Sequence, residues 1–325
     1  YSRKQITEDA IDHAHGLLQN TATQISGELQ IVEATLKQSV WIVEKNLSTP
    51  DSLRDILTAI VKNNSLIVGS GIAFIPEYYK EKGKYFMPYA FSINEGEEEI
   101  INFLKLGGAD YDYPCMDWYL IPKLLKKSYW SEPYYDTGGG NTIMSTYSLP
   151  LCNQQGEVYA IFTANISLSR FTDMVNELKP YQSSYTFLLS RNGSFLTHPD
   201  REKIMNETIF SVALSNNDNQ EEEIGHNMLD GLTGTAQFDS AKQSSYALYT
   251  AIPNCGWSIC TVCPSEVILH SLDRTSHRII YVFLIGMLVL LPLIYQIIYR
   301  LVRPLKKFSE SARSIATGRF DVEIP

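Results

Sequence analysis

The chain has 325 residues, of which 44% are hydrophobic and 19% are charged, and its formal net charge is −9. This composition is typical of a folded protein and excludes long disordered tracts, and the length predicts two packed units with accessory segments. Residues 1–278 hold 21 basic and 33 acidic side chains, which argues against a nucleic-acid partner because phosphate binding requires a basic face.

Residues 1–48 are predicted to form one long helix for signalling or dimerisation. Residues 3–48 contain no proline, and apolar or small side chains recur every three or four residues, as in a heptad pattern. These side chains are Ala14, Leu18, Thr21, Ile25, Leu29, Val32, Leu36, Val40, Val43 and Leu47. A helix of about 45 residues is roughly 70 Å long, more than one globular domain can bury. It therefore spans both folded units, pairs with a second copy of itself, or does both.

Residues 49–180 and 181–264 are predicted as two successive units of helix and antiparallel sheet. In the first unit, a helix that starts at Pro50 and reaches about Lys62 precedes strands such as "LIVGSGIAFIP" and "EVYAIFTANISL", and residues 168–178 form a closing helix. The second unit begins near Tyr185 and ends with the strands "GLTGTAQFD", "SYALYTAIP" and "GWSICTVCP". Because strands follow strands through tight turns, the predicted fold class is α+β with antiparallel sheets.

Residues 265–299 are predicted to run into and across a membrane. Within them, residues 279–299, "IIYVFLIGMLVLLPLIYQIIY", carry no charge, and at about 1.5 Å per residue they cover the roughly 30 Å of a bilayer core. Six basic residues follow this segment, which places residues 300–325 in the cytoplasm and residues 1–278 in the periplasm or outside, at the inner membrane. Because the chain starts at Tyr1 rather than at Met, we expect an earlier span upstream.

An aromatic-rich stretch lies in the first unit at residues 115–136, "CMDWYLIPKLLKKSYWSEPYYD". Aromatic side chains with an acid near each end of such a stretch can wall a binding pocket, or they can fill a hydrophobic core. Composition alone favours the core.

Together with this layout, the stretch resembles the double Cache ectodomain of bacterial transmembrane receptors, in which two PAS-like lobes stack on a long helix. The resemblance covers about residues 1–277 and depends on "MDWY" at 116–119, "WSEPYYD" at 130–136 and the strand "AIFTANISL" at 160–168. It implies a membrane-distal lobe at residues 49–180, a membrane-proximal lobe at residues 181–264, and a ligand site in the distal lobe. By position, the implied ligand-binding residues are Tyr111, Met116, Trp118, Tyr119, Tyr134, Asp136 and Asn165. For Trp130 and Tyr135 we expect core or surface packing.

Two positions depart from the pattern of family members that bind amino acids. Met116 stands where those members carry an Arg for the ligand carboxylate, and Asn165 stands where they carry an acid for the ligand ammonium. A carboxylate without its guanidinium partner is costly in a desolvated site. We therefore expect a small ligand that is neutral or cationic rather than an ordinary amino acid.

Residues 300–325, "RLVRPLKKFSESARSIATGRFDVEIP", resemble the first helix and connector of a HAMP signal-relay module. Pro304 and Gly318 stand at its characteristic positions. The resemblance implies a homodimer through the long helix and HAMP, and a cytoplasmic output domain. A histidine kinase or a serine/threonine phosphatase is the favoured output, and a nucleotide cyclase or a chemotaxis module is the other option.

Motifs for catalysis, metal binding or a cofactor are not recognised, so the segment is predicted not to be an enzyme. Five cysteines are too few for a disulfide framework; a bridge between Cys115 and Cys152, or between Cys255 and Cys263, stays open. The predicted function is ligand sensing by a transmembrane receptor. The alternative is a membrane-anchored periplasmic module that binds a protein partner and no small molecule.

Overall fold

The computed structural model describes residues 3–95, 98–108, 111–136, 142–181, 183–240 and 243–302, together with Ser309 and Arg313. Residues 1–268 form one compact unit, and residues 269–325 form a second. The helices are α1 (Arg3–Lys45), α2 (Leu53–Asn63), α3 (Asp117–Leu125), α4 (Leu168–Glu177), α5 (Ile209–Asn216), α6 (Asn219–Leu229) and α7 (Ser265–Ile297). A short 3₁₀ turn at Pro50–Ser52 precedes α2.

Two antiparallel sheets lie in the described residues up to Ile268, and both predicted sets of strands are confirmed. The first sheet has the strand order β3-β2-β1-β7-β6-β4, and β5 also pairs with β6; the second has the order β10-β11-β12-β8-β9. Strands of the first sheet are β1 (Gly69–Phe74), β2 (Met87–Glu95), β3 (Glu98–Leu106), β4 (Tyr129–Trp130), β5 (Tyr134–Tyr135), β6 (Ile143–Cys152) and β7 (Val158–Ser167). Strands of the second sheet are β8 (Tyr185–Leu189), β9 (Phe195–Thr197), β10 (Gly234–Ser240), β11 (Gln243–Ile252) and β12 (Trp257–Pro264). We call the first sheet with α2 and α3 the first lobe, and the second sheet with α5 and α6 the second lobe.

Helix α1 buries its apolar stripe against both lobes of its own chain. Most of the predicted heptad positions are buried, and Ala22 is buried instead of Thr21. The Ser26 hydroxyl donates to the Pro253 carbonyl of the second lobe at 3.2 Å. The Glu33 carboxylate of α1 accepts from the Trp130 indole N–H of the first lobe at 3.1 Å. Of the options open from the sequence, this stripe therefore spans both lobes, and it is not available for pairing with a second copy.

The described part of α7 contains a segment, Ile280–Arg300, that is 21 residues long and apolar enough to cross a membrane. The side chains from Ile280 to Tyr299 are exposed, as expected for residues that face lipid. In the core helix of a soluble protein, side chains of this composition would be buried. A π-helical turn, Ile298–Val302, follows. The two predicted relay positions, Pro304 and Gly318, lie outside the described residues.

Candidate functional site: an acidic, aromatic cleft in the first lobe

A cleft of about 410 Å³ opens in the first lobe between the start of α3 and the segment around β5. Its described lining residues are Tyr111, Cys115, Met116, Asp117, Trp118, Ser131, Glu132, Pro133, Tyr134, Tyr135 and Asp136. An inner cavity of about 10 Å³ lies against the sheet and shares Tyr111, Trp118, Tyr134 and Asp136 with the cleft. Five of the seven predicted ligand-binding residues thus line the cleft.

The mouth of the cleft is built by the turn that leads into α3. In this turn, the Tyr113 hydroxyl donates to the Phe74 carbonyl at 2.6 Å and accepts from the Phe86 amide at 3.3 Å, which fixes the turn to the sheet. Trp118 follows on the first turn of α3 and is 5% exposed. Its indole lowers the pKa of the Tyr111 hydroxyl, against the larger effect of burial. The two side chains line the same side of the cleft and form one aromatic wall.

The floor of the inner cavity is a chain of neutral hydrogen bonds. The Tyr134 and Thr146 hydroxyl oxygens are 2.6 Å apart, Thr146 donates to Asn165 Oδ1 at 3.1 Å, and Asn165 Nδ2 donates to the Tyr89 hydroxyl oxygen at 2.9 Å. Both ends of the Asn165 amide are therefore occupied by protein groups. Asn165 orients the floor and does not carry the charge that an acid at this position would bring.

Gly69 of β1 is required for this floor because the Tyr89 side chain lies directly over it. A Cβ atom at Gly69 would collide with the Tyr89 hydroxyl group, and one at Gly71 would lie 2.9 Å from the Tyr89 ring. Any larger residue at Gly69 would displace the hydroxyl that accepts from Asn165.

Asp136 supplies the negative charge at the inner end of the cleft. It is 5% exposed, and its backbone N–H donates to the Thr142 carbonyl at 3.1 Å. Burial first, and then the charge of Asp136, raise the pKa of Tyr111 to about 12 and the pKa of Tyr89 well above its usual range. Burial also raises the pKa of Tyr134, against a hydrogen bond with Thr146 and with smaller contributions from Tyr111 and Asp136. These tyrosines stay neutral near pH 7, so the aromatic groups around Asp136 present uncharged rings and hydroxyls to a ligand.

The outer cleft adds two more acids, Asp117 and Glu132. None of the described residues that line the cleft or the inner cavity is Lys, Arg or His. The segments next to them in sequence, residues 109–110 (Ala-Asp) and 137–141 (Thr-Gly-Gly-Gly-Asn), contain no basic residue either. A carboxylate and aromatic faces in a partly desolvated cleft favour a cation and disfavour an anion.

Some sequence-predicted residues lie elsewhere. Asn165 lines the inner cavity, while Tyr119 is 1% exposed, packs edge-on against Tyr113 and lines neither space. Trp130 is buried in the core as expected, and Tyr135 is 50% exposed at the cleft mouth.

Sequence reasoning missed Tyr89, Thr146 and Glu132 as parts of the site. The pairing of β1 with β2 and β7, and of β6 with β7, brings Tyr89 and Thr146 to the floor, and a single sequence does not reveal such pairings. Glu132 lies inside the "WSEPYYD" motif, so its position beside Tyr134 and Asp136 was the available signal.

A second, larger cavity of about 590 Å³ lies between α1, α4 and the ends of β2, β6 and β7. Arg170 and Glu28, which line it, already pair with each other at 3.4 Å. None of the seven predicted ligand-binding residues lines this cavity. We regard the smaller cleft as the candidate site because its buried acid and aromatic wall converge on one point, which size alone does not provide.

Comparisons with known proteins give a family match over the first lobe. Residues 53–173 match the profile of the family described as "Methyl-accepting chemotaxis protein-like, first PDC sensor domain". The chain is 25% identical over 217 residues to the methyl-accepting chemotaxis protein PscA of Pseudomonas syringae pv. tomato. The aligned region covers 66% of this chain and 32% of PscA. The chain therefore spans about a third of the length of the curated relatives it matches.

Solved structures share the fold. The extracellular domain of mmHK1S-Z3 superposes with a TM-score of 0.69 at 20% identity, over 82% of this chain and 98% of that domain. The ligand-binding domain of the Pseudomonas aeruginosa PAO1 amino acid chemoreceptor PctB, in complex with L-Arg, superposes with a TM-score of 0.57 at 15% identity, over 80% and 97%. The matched regions of these proteins are sensor and ligand-binding domains.

Proposed function

We propose, from the match of residues 53–173 to the profile of a PDC sensor domain, that the chain is the ligand-sensing region of a bacterial transmembrane receptor. A ligand binds in the cleft of the first lobe and changes the balance between two arrangements of the helices that lead to the membrane. The cleft and the apolar segment Ile280–Arg300 in one chain support this proposal.

The proposed topology follows the charge pattern and the resemblance to HAMP. Residues 49–180 form the membrane-distal lobe, residues 181–264 form the membrane-proximal lobe, and residues 1–278 lie in the periplasm. Residues 300–325 begin a cytoplasmic HAMP relay, in which Pro304 and Gly318 act, and a kinase, phosphatase or methyl-accepting output follows. A homodimer would use the solvent face of α1, because its apolar stripe is buried in this chain.

For the ligand we propose a small amine that lacks a carboxylate. The observation that carries this proposal is the cleft lining, in which Asp136 is buried among aromatic side chains and the described lining residues include no basic group. The ligand-binding domain of PctB was solved in complex with L-Arg. An amino acid in the cleft of the present chain would leave its carboxylate without a cationic partner, and an amine avoids that cost.

The test compares each amine with the α-amino acid from which it differs by one carboxylate. Suitable pairs are tyramine with tyrosine, agmatine with arginine, putrescine with ornithine, and ethanolamine with serine. We expect at least one amine to raise the melting temperature of the chain saturably. Its parent amino acid should raise the melting temperature less. If amino acids or simple carboxylates bind better than the amines, the proposed ligand class is wrong. If no compound binds, the protein-interaction alternative is favoured.

A further inference from the structure

Helix α1 contacts one end of the cleft lining through a buried side chain, Trp130. This residue is 3% exposed, and its indole N–H donates to Glu33 Oε1 of α1 at 3.1 Å. The residues that follow it in sequence, from Ser131 to Asp136, line the cleft. We call residues 130–136 the wall segment. Its first residue is thus bonded to α1, and the others belong to the ligand site.

Short pairings attach the wall segment to the first sheet. Strands β4 and β5 have two residues each, and both pair with β6. Between them, Ser131 donates its backbone N–H to the Thr146 carbonyl at 2.9 Å. Strand β4 lies at the end of the strand order, so it is supported by the sheet on one side. Because such short edge strands form few backbone hydrogen bonds, the position of the wall segment depends strongly on the contacts of its side chains.

Trp130 is held by rings on two sides and by a carboxylate at its edge. Its ring lies 5.2 Å from the Tyr147 ring of β6 and 5.7 Å from the Trp257 ring of β12. Ring contacts of this kind are compatible with a range of tilts, whereas a hydrogen bond requires its donor to point at its acceptor. Glu33 therefore fixes the orientation of the indole between the two rings.

The Glu33 carboxylate is itself held in place. Its Oε2 atom accepts from Lys37 Nζ, one helical turn later, at 3.0 Å. The side chain of Glu33 is 16% exposed and that of Lys37 is 53% exposed. An ion pair with an exposed lysine contributes little, whereas a buried N–H without an acceptor costs free energy. Without Glu33, the indole N–H would need another acceptor, and Trp130 would have to turn to reach it.

We propose that Glu33 is a positioning residue for the ligand cleft: it fixes Trp130, and Trp130 holds the wall segment in the arrangement that binds the ligand. The inference rests on the proposed function, because it requires a ligand in the first-lobe cleft. By linkage, a ligand that selects this arrangement strengthens the bond between Trp130 and Glu33 as much as the bond strengthens ligand binding. The contact thus transmits occupancy of the cleft to α1.

The test titrates the chain in lipid nanodiscs with the amine that binds most strongly in the paired panel. We expect Glu33→Ala to weaken binding roughly three- to tenfold, because the buried indole loses its acceptor. Glu33→Gln keeps an acceptor oxygen and should restore binding to within about twofold of wild type. Trp130→Phe removes the donor, and the double variant Trp130→Phe with Glu33→Ala should bind no more weakly than the weaker-binding single variant.

Three controls on α1 separate positioning from other effects. Glu44 is exposed and Trp41 is 63% exposed, so Glu44→Ala and Trp41→Phe repeat the substitutions away from the wall segment and should bind the amine like wild type. Leu29 is 2% exposed in the core. Leu29→Ala should lower the melting temperature but leave the amine affinity within about twofold of wild type, since it does not alter the wall segment.

A ligand-free measurement tests the positioning directly. In proton–nitrogen NMR of the tryptophan-labelled chain, the Trp130 indole N–H should exchange with solvent faster in Glu33→Ala than in Leu29→Ala. Equal or reversed rates would overturn the inference, because they would show only a general loss of stability.

The binding results carry equal weight. The inference is overturned if Glu33→Ala binds like wild type, if Glu33→Gln binds as weakly as Glu33→Ala, or if the losses in the double variant are additive. If amines bind and Asp136→Asn weakens them while Glu33→Ala does not, the proposed function stands and the role of Glu33 is rejected. If no amine binds wild type, both are rejected.

Discussion

At the scale of single residues, we propose that Met116 determines which ligands the cleft excludes. It lines the cleft mouth and is 39% exposed, so a longer side chain at this position has room. The adjacent acids Asp117 and Asp136 would hold a ligand ammonium but repel its carboxylate. The proposed preference for amines over amino acids therefore depends on one missing guanidinium.

Met116→Arg should convert the cleft toward amino acids. The new guanidinium can pair with a ligand carboxylate, which is worth on the order of tenfold in affinity. We expect the dissociation constant of the parent amino acid to fall about tenfold while that of the amine rises or stays constant. Met116→Gln, similar in size and uncharged, is the control. Equal affinity of the amino acid for wild type and Met116→Arg would mean that position 116 does not face the ligand carboxylate.

His198 in the second lobe links stability to pH. Burial lowers its pKa to about 4, the charge of Lys203 acts in the same direction, and a hydrogen bond with the Asp200 backbone opposes them. The ring packs against Tyr185, Phe187 and Phe195. The unfolded chain binds the proton from pH 6.5 downward, whereas the folded chain binds it only near pH 4. The contribution of the neutral His198 ring to the free energy of unfolding is therefore complete above pH 6.5 and is lost as the pH falls toward 4.

The prediction follows for His198→Phe, which keeps an aromatic ring and removes the titrating group. Between pH 6.5 and pH 4, the melting temperature of wild type should fall more steeply than that of the variant. Melting curves at several pH values measure the two slopes. Parallel slopes would show that His198 does not account for the acid sensitivity in this window.

At the scale of elements, α1 is a core component of both lobes rather than a projecting coiled-coil arm. Leu29 is 2% exposed in the shared core, whereas Ile31, two residues later, is 54% exposed. Leu29→Ala should lower the free energy of unfolding by about 2–5 kcal/mol because it leaves a cavity. Ile31→Ala should change it by about 0.5 kcal/mol or less. Chemical denaturation of both variants distinguishes this role: comparable effects would mean that the stripe is not buried in the chain itself.

The elements also show what sequence patterns do and do not predict. Long strands such as β7, with nearly every residue buried, and the uninterrupted helix α1 follow directly from hydrophobic runs and spacing. Strands β4 and β5 have two residues each, too short for any periodicity to reveal.

The candidate site divides in the same way. Trp118, Tyr134 and Asp136 were predicted from local motifs. The partners of Asn165 in the floor, Tyr89 and Thr146, are 76 and 19 residues away from it in sequence. Only the pairing of strands brings them together, and that pairing depends on the whole fold.

At the scale of the whole molecule, the two lobes share a core. Trp257 of β12 is 2% exposed and contacts Trp130 of the first lobe and Phe171 of α4. Residues 1–268 form one compact unit and should unfold in a single transition, with equal calorimetric and van't Hoff enthalpies. Trp257→Leu should lower that one melting temperature without splitting it. Two separate transitions in wild type would contradict a shared core and weaken the case for signalling between the lobes.

The central claim is that Asp136 in the first-lobe cleft binds a cationic ligand, and isothermal titration calorimetry of the best amine tests it most directly. Wild type should bind saturably, and Asp136→Asn should bind roughly thirtyfold or more weakly, because a buried charge partner is removed. Asp173 lines the larger cavity instead of the cleft. The variant Asp173→Asn, which makes the same chemical change, should bind the amine like wild type. Unchanged affinity in Asp136→Asn, or a loss in Asp173→Asn alone, would contradict the assignment of the cleft as the ligand site.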